Sequence, residues 1–237
     1  MNRAAHDEIL SLRSEVLALG ETLIASVPRA TQVLLDRDVE GAEYQILSDD
    51  EIDDRTLTLE ERCFSFMALH APVAGELRHA VAILKMAGDI ERSADLVKNI
   101  CKVARRIHGH SLDQTLEELI ADMGRQAHLL LRQSFDAYES MDLSAARALH
   151  DMDMYLDSLH KQFIQSIFEA HGNGAIDLPV AVQMAITARF YERIGDHAVN
   201  IAEFVQFLLT GEMPDTNHER RAKTLRNSVD DIGGVRV

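Results

Sequence analysis

Tryptophan is absent from this 237-residue sequence, and proline, cysteine and aromatic residues are scarce. There are 4 Pro, 2 Cys and 12 Gly, and aromatic residues make up 5% of the chain. Few prolines and aromatic residues, together with abundant Ala, Leu, Glu and Arg, favour helices that pack on helices. Long runs of alternating β-branched residues, which would indicate strands, are also missing. The composition therefore predicts an all-α protein.

A basic surface and long apolar segments are missing as well. The formal net charge is −15, and because nucleic-acid backbones are bound by basic surfaces, we expect no nucleic-acid partner. No window approaches the roughly 18 uninterrupted apolar residues of a membrane span, and Met1–Glu15 lacks the apolar core of a signal peptide. Cys63 and Cys101 lie among apolar residues without a zinc-type spacing, which is typical of core positions. These features predict a soluble, reduced, cytoplasmic protein that reaches a membrane only through partners.

Apolar residues recur at intervals of three and four along most of the chain, which is the helical period. The predicted helices cover residues 5–37, 39–70, 74–107, 111–141, 143–170 and 178–210. Pro28 is expected to kink or restart the first of them, and Ser111–Gln114 resembles a capping box that opens the fourth. The polar segment 212–237 has little periodicity and is predicted to be a disordered tail.

The two halves of the chain repeat the same order of elements: helix, short turn at an aspartate, helix, loop containing proline, helix. The turns at Asp38 and Asp142 are 104 residues apart, whereas a motif in the third helix of each half recurs after 101 residues. The difference falls in a loop, where insertions are tolerated. Short connections between long helices make neighbours antiparallel. We therefore predict two pseudo-symmetric tandem three-helix bundles, residues 1–110 and 111–211, built from six long antiparallel helices.

The motif in the third helix of each half reads Glu-Arg-x-x-Asp-x-x-x-Asn-Ile. Positions i, i+4 and i+8 of a helix share one face, so each copy stacks two carboxylates and an amide. Like charges at this spacing destabilise a helix by about 0.2–0.5 kcal/mol, so a cation is expected to compensate them. The second helix of each half carries Asp-x-x-x-Asp, which an antiparallel bundle can place opposite the motif. The carboxylates are Asp49, Asp53, Glu91 and Asp95 in the first half and Asp153, Asp157, Glu192 and Asp196 in the second, with Asn99 and Asn200 in support.

Facing carboxylates with this spacing predict metal sites. Oxygen ligands suit Mg²⁺, Mn²⁺, Ca²⁺ or iron, and bridging carboxylates allow more than one ion. The expected cofactors are therefore divalent or trivalent metal ions such as iron, zinc, manganese, magnesium or calcium. Two alternatives remain open: the acidic faces only keep a helical scaffold soluble, or Arg92 and Arg193 pair with acidic groups on a neighbouring helix.

A di-metal carboxylate enzyme, an oxidase or a phosphatase, is the alternative of a different class. The string Glu76-x-x-His79 is of the kind such bundles use, but the second half has no counterpart of it. Several other histidines lie near predicted helix ends, where they are interpreted as cations that complement the helix dipole. These are His108, His110, His150, His160 and His171.

The chain resembles the PhoU family of phosphate-specific transport system accessory proteins. The resemblance covers His6 to Leu209 and is carried by both motif copies, by His70–Arg78 and by Glu192–Glu203. It implies six helices in two bundles and a cytoplasmic, usually homodimeric protein with metal ions at the Glu/Asp-x-x-x-Asp motifs. It also implies a non-enzymatic negative regulator of phosphate uptake and of the phosphate-starvation response. The implied partners are the ATPase subunit of a phosphate transporter and a phosphate-sensing histidine kinase.

Three residues need comment within this resemblance. Ser93 and Ala94 stand where the family usually has Ile-Gly, a change that keeps the carboxylates but affects the expected identity and affinity of the metal. Arg78 corresponds to an arginine of the family, and we expect it to contact a phosphate or a carboxylate near the first set of carboxylates.

Overall fold

The structure of the protein is a computed structural model that describes residues 3–48 and 50–213, with all side chains except those of residues 48 and 50. Within these residues the chain forms helices and no strand. The helices are α1 Arg3–Asp36, α2 Val39–Ser48, α3 Asp50–His70, α4 Ala74–Arg106, α5 Gln114–Ser140, α6 Leu143–Gly172 and α7 Leu178–Thr210. The segments α2 and α3 take the place of the predicted second helix. The predicted all-α fold of six long helices is confirmed, while Asp49 and most of the predicted tail, residues 214–237, lie outside the described residues.

Aspartate side chains fix the starts of the three helices in the second half. Asp113, Asp142 and Asp177 each accept a hydrogen bond from a backbone N–H of the first turn that follows, which satisfies donors the helix itself leaves unpaired. α5 therefore begins at Gln114 with Asp113 as its cap, not at Ser111 as the capping-box pattern predicted. α1 continues through Pro28 instead of restarting there.

Four helices form the centre of the molecule. α1 and α7 each pack against both α4 and α5, and they contact each other through the hydrogen bond between Oγ1 of Thr31 and the hydroxyl of Tyr191. α2 and α3 cover α1 and α4 on one side, and α6 covers α5 and α7 on the other. The two halves therefore meet mainly along two contacts, α1 with α5 and α4 with α7, as expected for tandem bundles related by pseudo-symmetry.

Matched glycines let α1 and α5 approach each other closely. A Cβ atom at Gly20 would lie 2.3 Å from Cε1 of Phe135, and one at Gly124 would lie 2.4 Å from Oγ1 of Thr31. Gly124 follows Gly20 by 104 positions and Phe135 follows Thr31 by the same number, which is also the offset between the predicted turns. The contacts between the two halves are thus duplicated like the sequence.

The described helices enclose one continuous apolar core. Cys63 and Cys101 are buried in it as free thiols, as predicted, and burial raises the pKa of Cys63 to about 12, so that its thiol stays neutral. None of the helices in residues 3–48 and 50–213 combines the length and apolar character that crossing a membrane requires.

Candidate functional site

Two sets of carboxylates lie where an outer helix, α3 or α6, meets a motif helix, which is α4 or α7 and carries the repeated motif. The first cluster is the predicted set Asp49, Asp53, Glu91 and Asp95, of which Asp53, Glu91 and Asp95 lie at the contact between α3 and α4. The second cluster consists of Asp153, Asp157, Glu192 and Asp196, at the contact between α6 and α7. Of these eight residues, only Asp49 lies outside the described part of the chain.

The first cluster owes its level in the bundle to the short connection between α3 and α4. Asp53 precedes His70, the last residue of α3, by 17 positions, and Glu91 follows Ala74, the first residue of α4, by 17 positions. Each residue adds 1.5 Å along a helix, so both carboxylates lie about 26 Å from the connection. The antiparallel packing of α3 and α4 therefore brings Asp53 and Glu91 to the same level.

The second cluster has the same register. Asp157 precedes the end of α6 at Gly172 by 15 positions, and Glu192 follows the start of α7 by 14. Asp153 lies about one turn further than Asp157 from the loop between α6 and α7, and Asp196 lies about one turn further than Glu192. Asp153 and Asp196 are therefore also at the same level.

A close approach confirms the register of the second cluster. A Cβ atom at Gly195 would lie 2.7 Å from Oδ1 of Asp153 and 2.6 Å from Cδ2 of Leu156. Asp153 is only 6% exposed, so its carboxylate is pressed against the backbone of α7 beside Asp196. Because Gly195 has no side chain, there is room beside the backbone of α7 for the carboxylate of Asp153.

Two residues beside the second cluster were missed by the sequence analysis. Arg189 forms an ion pair with Glu192 one turn further along α7. His160 lies close enough to Arg189 and Asp157 for both charges to act on its pKa, which burial and the cation lower and the carboxylate raises, with a net lowering. His160 belongs to the middle of α6, so its assignment to a helix end was wrong. The position of His160 opposite Arg189 could have been predicted from the antiparallel pair α6 and α7, because residues 160 and 189 are almost equally far from the loop that connects these helices.

The first cluster has different cations near it. Nζ of Lys98 lies 3.9 Å from Oδ1 of Asp95, whose side chain is 53% exposed. Arg92 forms its ion pair with Asp89 on its own helix, at 2.8 Å, and the equivalent Arg193 is exposed. Neither arginine forms an ion pair with a neighbouring helix among the described residues, so the ion-pair alternative has no support from them.

A buried polar contact, here called the seam, joins α4 to α7 and consists of Asp89, Ser93, His197 and Asn200. Nδ2 of Asn200 donates to Oδ1 of Asp89 at 3.1 Å. Oγ of Ser93 donates to the backbone oxygen of Asp89, so the Nδ1–H of His197, 2.9 Å from that Oγ, must donate to Ser93. Asn200 therefore links the two halves of the chain, and its support of the second cluster stays a prediction.

Sequence reasoning missed the seam because its pattern is not duplicated. The positions that correspond to Asp89 and Ser93 in the second half are Phe190 and Ile194. An acidic residue at a buried position of α4, 2% exposed, was the available signal, since buried carboxylates are rare unless they are paired.

Asn99 and Arg78 are the other two residues predicted to support the first cluster. Oδ1 of Asn99 accepts a hydrogen bond from Lys102 at 3.1 Å. Arg78 precedes Glu91 by 13 positions on α4, a rise of about 20 Å, and its guanidinium lies beside Gly211 after α7. A guanidinium that far along the helix cannot support the first cluster, so this part of the prediction was wrong.

The described carboxylates of each cluster lie at similar levels, but they do not form a complete metal-binding site. Among residues 3–47 and 51–213, no group of three or more His, Cys, Asp or Glu side chains is arranged to hold a metal ion. The predicted convergence of four carboxylates is therefore not realised in the second cluster. The physical reason is that carboxylates without a cation repel one another, and Glu192 is held by Arg189.

The residues present nevertheless fit a metal ion with oxygen ligands. Both hairpins place carboxylates of two helices at one level, and the space above Gly195 admits that of Asp153 beside Asp196. Carboxylate oxygens from two neighbouring helices are the kind of ligand that hard cations such as Mg²⁺, Mn²⁺ and Ca²⁺ prefer.

Comparisons with known proteins agree with the fold and with the repeat. The profile of the PhoU domain matches the chain twice, at residues 16–104 and 120–205. The chain is 34% identical over 218 residues to the phosphate-specific transport system accessory protein PhoU homolog 2 of Mycobacterium tuberculosis, covering 90% of this chain and 100% of that protein.

Solved structures give the same result. The phosphate transport system regulatory protein PhoU from Streptococcus pneumoniae superposes with a TM-score of 0.82 and 25% identity, over 89% of this chain and 99% of that one. PhoU from Pseudomonas aeruginosa does so with a TM-score of 0.82 and 26% identity, over 87% and 99%. With both repeats matched in sequence and the six-helix fold matched in structure, the chain belongs to the PhoU family.

Proposed function

We propose that this protein is a non-enzymatic, metal-binding regulator of phosphate uptake and of the phosphate-starvation response. Its relatives are named accessory and regulatory proteins of phosphate transport, and the similarity extends over both repeats. Those names support a regulatory role and give no support to the oxidase or phosphatase alternative. We place its action in the cytoplasm.

The duplicated level of the carboxylates is the observation that carries the metal-binding part of the proposal. In each repeat an outer helix and a motif helix place acidic side chains opposite each other. A divalent or trivalent ion would be held by Asp49, Asp53, Glu91 and Asp95 at the first cluster and by Asp153, Asp157, Glu192 and Asp196 at the second. Such an ion removes the repulsion between these carboxylates and ties the outer helix to the centre of the bundle.

The regulator acts in this proposal as an adaptor. A homodimer presents the metal-loaded surfaces of its outer and motif helices to the ATPase subunit of a phosphate transporter and to a sensor histidine kinase. Most of the cluster residues are partly exposed, so a bound ion lies near the surface. A partner can therefore bind the metal-loaded and metal-free proteins with different affinity.

Metal content tests the site. The purified chain is stripped with a chelator, reloaded with manganese or iron salts and measured by elemental analysis. We expect the double variant Glu91→Ala/Glu192→Ala to retain much less metal than the wild type. Glu43→Ala/Glu118→Ala, which removes the same charge from exposed positions away from the clusters, is the matched control. Equal retention by wild type and Glu91→Ala/Glu192→Ala would show that the site is assigned wrongly.

Phosphate physiology tests the regulation. In a strain that lacks the gene, we expect phosphate uptake and a phosphate-starvation reporter to remain high in phosphate-rich medium. The wild-type gene should restore repression, the control pair should do so equally, and the Glu91→Ala/Glu192→Ala gene should not. Unchanged uptake and reporter activity in the deletion strain would contradict the regulatory role, whatever the metal content of the protein.

A further inference from the structure

The connection between α3 and α4 exposes apolar side chains to water. Leu69 is 80% exposed and Val73 is 74% exposed, and Leu77, one turn into α4, is also exposed. Ala71 and Ala74 of the same connection have φ angles of 43° and 48°, a left-handed backbone that alanine rarely adopts because its Cβ crowds the following carbonyl oxygen. A strained backbone therefore holds apolar residues in a position where they are exposed.

Val73 is the N-cap residue of α4, a position where a polar side chain usually stabilises the helix. It makes no side-chain capping hydrogen bond, whereas α5, α6 and α7 are each capped by an aspartate. Ser, Thr, Asp and Asn are preferred at this position because they accept a hydrogen bond from the first turn. The valine lacks that stabilisation, and its largely exposed side chain gains little packing within the bundle in exchange.

The chain leaves the described residues beside this connection. Gly211, directly after α7, lies so close to Arg78 that a Cβ atom there would be 3.6 Å from the Nη1 atom of the guanidinium. Val73 precedes Arg78 by five residues, a rise of only about 8 Å along α4. The exposed apolar residues at this end of the bundle, here called the end patch, are Leu69, Val73, Leu77, Leu209 and Met213.

The segment 214–237, which follows the end patch, carries apolar residues with a helical spacing. Ala222, Leu225, Val229 and Ile232 follow one another at intervals of three, four and three residues, which places them on one face of a helix. Three turns are too short for a stable isolated helix in water, so this face needs an apolar surface to pack against. The matches to the PhoU domain end at residue 205 and do not account for the segment.

Length and charge also match the segment to the end patch. Leu225 follows Met213 by 12 residues, which span about 18 Å as a helix and up to about 40 Å when extended. Four of the seven residues 220–226 are basic, whereas the whole chain has a formal net charge of −15 and places Glu76 and Glu212 next to patch residues. A tethered segment meets a nearby surface at an effective concentration on the order of millimolar, an advantage that a separate protein lacks.

We propose that residues 220–232 dock on the end patch of the same chain as a short amphipathic helix. The apolar face of this helix, centred on Leu225 and Val229, covers the exposed apolar side chains of the patch. The docked segment shields the patch from other proteins until it is displaced. This contact is independent of metal binding at the two clusters.

Limited digestion of the full chain with trypsin, followed by mass spectrometry, measures how often the segment is released. Trypsin cleaves after arginine and lysine, and cleavage after Arg220 and Arg221 follows the population of the released segment when release is fast. Leu69→Ser/Val73→Ser alters the patch but not the cleavage sites, and serine at position 73 is a favourable N-cap residue. We expect this variant to be cleaved there roughly fivefold to tenfold faster than the wild type, because the contact loses two apolar side chains.

A matched control on the helical bundle is Leu47→Ser. Leu47 is 73% exposed on α2, which is separated from the end patch by the whole of α3. Its substitution should change the cleavage rate by less than about twofold, as expected for a surface residue outside the contact.

Substitutions in the segment test the same contact from its other side. Leu225→Ser/Val229→Ser should accelerate cleavage after Arg220 as much as the patch variant does, whereas Asn227→Ser, on the opposite face of the proposed helix, should not. Combining the patch and segment substitutions should give no further acceleration, because both remove one contact.

The outcomes distinguish this contact from other occupants of the patch and from the proposed function. Equal cleavage of the wild type, the patch variant and the segment variant would refute the inference. Protection that rises with protein concentration would show that a second copy covers the patch, and would also refute it. Neither result depends on metal content, so the metal-binding proposal stands or fails separately. Circular dichroism checks that the helices of each variant are intact.

Discussion

Substitution of Gly20 by alanine tests whether the two halves depend on the close contact between α1 and α5. The added Cβ would lie 2.3, 2.5 and 2.7 Å from three atoms of the Phe135 ring, whereas ordinary contacts begin at 3.4 Å. The ring must therefore retreat by about 1 Å, and it is 2% exposed in the core. Such overpacking costs about 1–3 kcal/mol.

A second effect has the opposite sign and must be removed by the design. Alanine in a helix interior is favoured over glycine by about 1 kcal/mol, which would hide part of the loss. Gly88→Ala gains the same helix propensity and meets only the mobile end of a side chain. The difference between the two variants therefore isolates the packing cost, and we expect Gly20→Ala to be less stable than Gly88→Ala by about 1–3 kcal/mol.

Urea denaturation followed by circular dichroism measures this difference, provided that both variants unfold with the same slope. The double variant Gly20→Ala/Phe135→Leu should lose less stability than the sum of its single changes, because the smaller side chain makes room for the new methyl group. Equal stability of Gly20→Ala and Gly88→Ala would refute the conclusion that a close approach of α1 and α5 requires glycine.

Three further predictions concern buried polar groups. Asp89→Ala should cost about 2 kcal/mol in urea denaturation, because Nδ2 of Asn200 and the guanidinium of Arg92 lose this acceptor, while the exposed Asp54→Ala should change stability by less than about 0.5 kcal/mol. Tyr191→Phe should lose about 1 kcal/mol, because it removes the 2.8 Å hydrogen bond between the Tyr191 hydroxyl and Oγ1 of Thr31. Tyr138→Phe should lose less, because Arg13 donates to the backbone oxygen of Tyr138 and lies over its ring, contacts that phenylalanine keeps. A large loss in Tyr138→Phe would contradict this expectation. Burial and nearby arginines lower the pKa of His79 below its ordinary 6.5, so the unfolded chain takes up a proton more readily, and stability should fall as pH decreases through 6.5. His79→Gln should flatten the slope of stability between about pH 7 and pH 5, and an unchanged slope would count against it.

Several features of the candidate site followed from local pattern. The spacing Glu91/Asp95 and its repeat at Glu192/Asp196 place carboxylates on one helix face in any helix, because the period of the helix is fixed. The short connection before each motif helix fixes the level of the partner carboxylate, so Asp157 and Glu192 are brought together by counting alone. Neither step needs knowledge of side-chain partners.

Other features depend on which helices are neighbours in three dimensions. Asn200 fits the motif pattern, yet it bonds Asp89 because α7 packs on α4 at that level. Arg78 belongs to a recognisable string, yet its distance from Glu91 along α4 separates it from the cluster. The pairing of Arg189 with Glu192 follows the rule for residues three apart on a helix, but the pattern could not show that Glu192 would be partly buried.

The sequence by itself determined the six helices, their pairing into two halves and the acidic faces, because helix period, turn residues and loop length act over short distances along the chain. Only the tertiary structure decided which contacts join the two halves. These contacts join residues about 100 positions apart, such as Gly20 with Phe135 and Ser93 with His197. They depend on the shapes of packed surfaces, for which a periodic pattern contains no information.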